Sequence, residues 1–465
     1  MRNINLGNTK TFNTILKLAI PSMIAQLVSV LYNIVDRIYV GNMPGIGSIA
    51  LVGIGVCAPI TTFITSFAFL VGLGGAPLFS MSLGEKNELK AKKILSNALL
   101  MLVILSVVIM ACLYPFLDQI LFLFGASTES FPYAKDYISI YLTGTFFSIL
   151  TLGLNQFLTA QGQSVGAMLT TIIGCVLNVI LDPIFIYVFN FGAKGAAIAT
   201  VVCQFVSFIF VLFLLLKKTK IRLSVGSYSL KTMWRIIVLG FSPFVIIATD
   251  SIIIIALNTV LQKYGNGKGD FYIQVATIVQ AFESLITGPL LGISSGTQPV
   301  LGYLYGAKET KLIKKAEKQI TLFALAFTTL CFILSFVFSK PFAAIFLGLS
   351  NMDQNQSQLV IDYSVKYIRY YMYGIIPLSF QYVFVDGLTG MGQAKYSIWL
   401  SLNRKIVLLL PIIIIFPIIT KDATSAFLAE PIADIISGVV TSVVFLIIVP
   451  KILRRQETSK EQIEV

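Results

Sequence analysis

The chain has 465 residues, 56% of them apolar and only 12% charged, about half the roughly 25% typical of soluble globular domains. So little charge cannot cover a water-exposed surface, which excludes a soluble enzyme; at roughly 20 apolar residues per span the chain supplies on the order of a dozen membrane helices. The net charge of +13 fits Lys and Arg gathered in cytoplasmic loops better than a nucleic-acid partner.

In chain order, the apolar runs predict an all-α integral membrane protein of twelve transmembrane helices, the first six near 14–39, 47–82, 94–124, 132–160, 166–189 and 193–217. The first run is too long for a cleaved signal segment and reads as a permanent span. A basic linker holding Lys217, Lys218, Lys220, Arg222, Lys231 and Arg235 follows. The second six runs lie near 233–260, 271–304, 312–347, 360–390, 397–419 and 424–450. With the N-terminus inside, one side of the membrane receives Arg2, Lys10 and Lys17, then Lys86, Lys90, Lys92 and Lys93, the linker, Lys308 to Lys318, Lys395, and Lys451 to Lys460. That asymmetry predicts both termini in the cytoplasm. The expected organisation is an N-terminal lobe at 1–218, a linker at 219–232, a C-terminal lobe at 233–453 and a cytoplasmic tail at 454–465.

The two halves repeat each other. Pro21, Pro77 and Gly84 recur at one constant offset as Pro243, Pro299 and Gly306. Gly144 and LTAQGQ (158–163) recur as Gly374 and LTGMGQ (388–393) at a slightly longer offset, the extra residues fitting the polar insertion at 350–358. Each copy has an even number of spans, so the repeats are parallel, as in transporters whose two lobes rock about a central site.

No phosphate-cradling motif is present: GNGKGD (265–270) fits neither GxxxxGK[ST] nor GxGxxG. ATP hydrolysis is excluded, no catalytic set and no cofactor are expected, and an ion gradient or another chain must supply energy. The chain has no His, so titration within the membrane falls to carboxylates. Cys57, Cys112, Cys175, Cys203 and Cys331 sit in apolar runs without metal-ligand spacing and read as buried small side chains.

Intramembrane acids are costly and functional by default. In the first span Ser22, Gln26, Ser29, Asn33 and Asp36 recur on one helix face. Such a stripe lines either a cavity or a polar helix seam, and the closing carboxylate favours the cavity. Tyr32, one turn before Asp36, can donate to it. In the fifth span Thr171, Cys175, Asn178 and Asp182 follow one another by turns, with Asp182 before Pro183. Span directions place Asp36, Asp182 and Thr200 near one outer depth, where their oxygens can share a proton or hold Na⁺. The second half carries its own acids, Asp250, Glu283, Asp386, Glu430 and Asp434, with Gln280 beside Glu283. These acids either attract a cationic substrate, form a second ion site, or pair with Arg404 and Lys405.

The segments IPSMIAQLVSVLYNIVDRIYVGN (20–42), NQFLTAQGQS (155–164) and NVILDPIFIYVFNFGAKGAAIAT (178–200), in this twelve-span frame, resemble the multidrug and toxic compound extrusion (MATE) family, chiefly its bacterial DinF-like and MepA-like branch. The resemblance covers essentially the whole chain. It implies a two-lobed antiporter in the cell membrane that exchanges H⁺ or Na⁺ for small organic cations or amphipathic toxins. It further implies a coupling-ion site at Asp36, Asn178, Asp182 and Thr200, supported by Tyr32 and by Asn155 or Gln156. Asp250 and Asp386 match only loosely the family's acids in the seventh and tenth spans. The substrate cavity is expected among Gln26, Ser29, Asn33, Asp250, Gln280, Glu283 and Asp386, in a protein that works as a monomer in lipid without nucleic acid. A rival within the wider superfamily, a lipid-linked oligosaccharide flippase, calls for an Arg-rich cavity. Pro21 is the expected hinge of the first helix. Pro21→Ala should keep substrate binding and lose transport; full transport by that variant refutes the hinge.

Overall fold

The computed structural model describes residues 6–7, 11–41, 43, 47–347 and 354–464. Residues 348–353 of the polar insertion, with Arg2 and Lys10, lie outside them. The first six helices are α1 (Thr11–Gly41), α2 (Gly47–Gly84), α3 (Glu88–Leu123, with a 3-10 turn at Tyr114–Phe116), α4 (Phe131–Ala160), α5 (Ser164–Val188) and α6 (Ala193–Lys217). After the linker come α7 (Leu230–Tyr264), α8 (Gly269–Gly306), α9 (Thr310–Leu347), α10 (Gln354–Gly390), α11 (Ala394–Thr420) and α12 (Ala429–Glu464). Eleven of these are long and apolar enough to cross a membrane. The remaining one, α10, has 37 residues but carries Asp362, Lys366, Arg369 and Asp386, and it packs on α8, α9 and α12 within the bundle. The chain is a multi-pass membrane protein.

No backbone break falls at 453/454, because α12 continues to Glu464. Its end is tied to the second lobe by Gln456 Nε2 donating to the Tyr305 carbonyl (2.6 Å) and Thr310 Oγ1 donating to Glu457 Oε1 (2.7 Å). The linker is likewise docked. Gln161 bonds both backbone groups of Ile221 (2.9 and 3.1 Å), Gln163 Nε2 donates to the Lys218 carbonyl (2.6 Å), and Ser96 Oγ donates to the Gly226 carbonyl (2.7 Å). The QGQ of the repeated motif therefore fastens the linker to the first lobe. In the second copy Gln393 instead reaches the Tyr305 hydroxyl (3.4 Å).

Two apolar cores form, one mainly in each half, and α1 and α7 contribute to both: Ile15, Leu18 and Ile253 to the second, Val40 and Ile236 to the first. Between lobes the packing is reciprocal, α1 against α8 and α2 against α7, with α2 and α8 crossing at the basic-loop end. At that crossing a Cβ on Gly84 would strike the Tyr303 carbonyl, and one on Gly306 would strike the Met81 carbonyl. The repeated glycines thus mark backbone-to-backbone contact on the pseudo-two-fold axis. The α1–α8 contact is a seam of small residues, Gly288, Gly292 and Gly296, against Gln26, Ser22 and Met23, a spacing that lets two membrane helices approach closely.

Pro21 lies inside a continuous α1 and is buried. A helix-interior proline leaves the carbonyl four residues earlier unpaired. Here Ser164 Oγ donates to that carbonyl, of Lys17, at 2.8 Å. All five cysteines are free; Cys57 and Cys203 are buried, but Cys175 and Cys331 are half-buried and Cys112 is exposed, which corrects the expected burial of these three.

Filling a close-packed contact costs about 1–3 kcal/mol. Gly84→Val is therefore expected to lower the melting temperature in detergent, while Gly55→Ala, with nothing within 4 Å of the added carbon, leaves it unchanged or slightly higher. Equal melting of Gly84→Val and wild type would contradict the crossing.

Candidate functional site

The end of the bundle opposite the basic loops holds the first cluster. Asp36 stands near the end of α1, Asp182 and Asn178 near the end of the α-helical part of α5, and Thr200 near the start of α6. At Asp182–Pro183 the helix passes into a π turn, Ile184–Val188, a distortion that recurs at functional sites. Asp182 is 0% exposed and Asp36 7%. Their carboxyls face one another, with Asn178 beside Asp182. Asn178 Nδ2 donates to Thr200 Oγ1 at 3.4 Å, and Thr200 Oγ1 donates to the Ala196 carbonyl at 3.0 Å. Both Asp182 oxygens, Asp36 Oδ1 and Asn178 Oδ1 are buried without a hydrogen-bond partner. Two carboxylates and an amide oxygen therefore converge with no donor to satisfy them, which is what a proton or an oxygen-coordinated cation would meet.

Tyr32 reaches Thr200 and lies near Asp36. Two neighbours were not expected from the sequence. Tyr137 of α4 faces both acids and stacks on Tyr141, with ring centroids 6.0 Å apart, and Cys203 sits against Asn178 and Asp182. Only position could have flagged Tyr137: it lies early in α4, at the depth of Asp36.

Asn155 and Gln156 do not join the cluster. They lie toward the basic end of α4, and at 1.5 Å rise per residue the step from Tyr137 to Asn155 is about 27 Å. Gln156 packs against Gly72 of α2 instead.

The polar stripe of α1 divides. Ser22 and Gln26 belong to the seam with α8, so the seam reading holds for that half. Ser29 is half-buried and Asn33 exposed, its amide donating to the Ser29 carbonyl at 2.9 Å.

In the second lobe the bases are already engaged. Arg404 opens a π turn, Asn403–Leu409, within α11. Its Nε donates to Asp434 Oδ1 (2.7 Å) and its NH2 group to Glu430 Oε1 (3.0 Å), and the guanidinium lies 6.0 Å from the Tyr382 ring. Lys405 Nζ donates to Asp250 Oδ1 at 2.6 Å. Glu283 of α8 faces this group, with half-buried Gln280 one turn away. Four acids thus surround two bases, and Asp250 is better described as a partner of Lys405 than as a free substrate ligand. Asp386 is separate from this group and accepts from Gln298 Nε2 at 3.0 Å.

The MatE family model matches residues 21–184 and 247–415. The chain belongs to this family of membrane transporters. Among curated relatives, the multidrug export protein MepA of Staphylococcus haemolyticus is 27% identical over 68% of this chain and 69% of its own length. MepA of Staphylococcus saprophyticus is 24% identical over 86% of each chain. The fold is that of solved family structures. An outward-facing multidrug resistance MATE transporter superposes with a TM-score of 0.88 at 23% identity, covering 98% of this chain and 99% of that one. A superfamily transporter from Pyrococcus furiosus, described as having a binding pocket of reversed polarity, gives 0.89 at 23% identity with the same coverage.

Removing one partner of a buried ion pair typically costs about 3–5 kcal/mol. Arg404→Met strands Asp434 and Glu430 and should sharply lower thermal stability, and adding Asp434→Asn and Glu430→Gln should restore much of it. A single variant as stable as wild type would show that the pairs are not formed.

Proposed function

We propose that the chain is a secondary active exporter that exchanges H⁺ or Na⁺ for small organic cations or amphipathic drugs by alternating access. The observation that carries this reading is the buried Asp36–Asp182 pair, whose oxygens lack partners beside Asn178 and Thr200. The export function named for the MepA relatives supports it.

Without a cation, two carboxylates in a low-dielectric site repel one another. A bound proton or Na⁺ removes the repulsion and lets the ends of α1 and α5 approach. Because α1 also forms the seam with α8, through Ser22, Met23 and Gln26, a change at Asp36 is transmitted to the lobe interface by one helix, with Pro21 at the far side of that seam. Exchange requires that ion and drug favour different states. Ion uptake from outside would then drive drug release outward, and ion release inward would reset the cavity.

The drug-facing chemistry is assigned to the acid-rich second-lobe group, where Glu283 meets the cationic part of the substrate and neighbouring aromatics meet its apolar part. A flippase reading would need a free cationic cavity for pyrophosphate, whereas Arg404 and Lys405 are held in ion pairs. In this reading the protein works in the cell membrane with both termini cytoplasmic, which the distribution of Lys and Arg supports, and as a monomer, since one chain supplies both lobes.

Reconstituted in liposomes, wild type should move a fluorescent organic cation under an imposed pH gradient or Na⁺ gradient, and Asp36→Asn should reduce gradient-driven movement at least about 100-fold. Failure of both gradients for any cationic dye would overturn the export assignment, and undiminished transport by Asp36→Asn would overturn the site.

A further inference from the structure

A second set of unmatched oxygens lies in the other lobe, at the basic-loop end. Glu317 is two turns into α9, Gln298 two turns before the end of α8, and Asp386 one turn before the end of α10. All three are buried, at 6%, 1% and 9% exposure. Glu317 and Asp386 act on one another electrostatically, yet neither forms an ion pair among the described residues. Gln298 turns its amide onto Asp386 by donating Nε2 to Oδ1 at 3.0 Å, and the Ser294 hydroxyl also lies against that carboxyl. The Gln298 amide oxygen, both Glu317 carboxylate oxygens and Asp386 Oδ2 have no hydrogen-bond partner.

The backbone makes room for this arrangement. A Cβ on Gly387 would lie 2.7 Å from Glu317 Oε1 and 3.0 Å from Oε2, so the Glu317 carboxylate rests on α10 next to Asp386 only because position 387 has no side chain. Burying two carboxylates in this way is costly unless a positive charge meets them. The Gln298 oxygen is a neutral acceptor, and no protein donor reaches it. Four acceptor oxygens around two negative charges define hard-cation chemistry. Only two of the ligands are anionic, and no group of three or more Asp, Glu, Cys or His that could hold a metal ion occurs among the described residues, which favours a monovalent ion over a divalent one.

We propose that Glu317, Asp386 and Gln298 form a second Na⁺ site, in the lobe and at the membrane end opposite to Asp36 and Asp182. Gly387 positions the Glu317 ligand. The site lies on helices α8, α9 and α10, separate from the Arg404 group, and its occupancy is independent of which ion drives transport.

The test is equilibrium binding of radioactive ²²Na⁺ to the purified full-length protein in detergent, with choline holding ionic strength constant. Asp36→Asn removes the first cluster as a competitor. This variant should still bind Na⁺, and adding Glu317→Gln should reduce its binding to the choline background. Adding Gly387→Ala, which keeps both acids, should weaken binding at least about tenfold, roughly 1.4 kcal/mol. Gly387→Ala provides the reading if the Glu317→Gln chain does not fold. The proposal is overturned if Asp36→Asn binds no Na⁺ above background, or if the added Glu317→Gln or Gly387→Ala leaves binding unchanged. Because binding is read without transport, failure here leaves the export reading intact, and failure of export leaves this result intact.

Discussion

A carboxylate taken out of water must be met by a donor or a cation, and the way each acid meets that demand organises this molecule. In the second lobe Arg404 and Lys405 answer Asp434, Glu430 and Asp250 directly, at 2.6–3.0 Å. In the first lobe no hydrogen bond reaches Asp36 Oδ1 or either Asp182 oxygen, and Arg37 acts on Asp36 only through space. A scaffold that can satisfy one set of acids and leaves another unmatched keeps the second available for something mobile. The two lobes share a backbone plan and differ in where their charge is completed.

The shared plan gives the unmatched acids leverage. Like α7, which gives Ile236 to one core and Ile253 to the other, α1 contributes its two ends to different cores, Ile15 and Leu18 to one and Val40 to the other. Its middle runs along the glycine face of α8. Charge at Asp36 therefore acts on a helix already committed to the interface. Pro21 lies within that seam, and because Ser164 takes its freed carbonyl, the missing helix bond exposes no unpaired backbone group to lipid.

Much of this was legible in the sequence, for physical reasons. Gly84 and Gly306 kept their register because a Cβ at either would enter the opposing backbone. Gly144 and Gly374 kept theirs because each lies against a facing helix, at Val201 and at Pro431 and Asp434. Span direction alone brought Asp36, Asp182 and Thr200 to one depth. Rotation about each helix axis was not legible, so the pairing of Asp250 with Lys405 and of Asp434 with Arg404 stayed one alternative among several. Asn155 and Gln156 were assigned by likeness, although depth along α4 sets them at the other end. Tyr137 was hidden among 19 tyrosines. Glu317 lies among Lys314, Lys315 and Lys318, where a lone acid carries no sequence signal that separates it from a solvated charged run.

In the proposed cycle, neutralising the Asp36–Asp182 pair moves one lobe against the other. Its most direct test is the spin-label distance between Asn33 on α1 and Ile255 on α7, both exposed, with native cysteines replaced and the protein in lipid nanodiscs. The account predicts a distance distribution that changes with pH or Na⁺ in wild type and stays fixed in Asp36→Asn/Asp182→Asn. An ion-dependent change that persists in the double variant, or none in a wild type that transports, would contradict it.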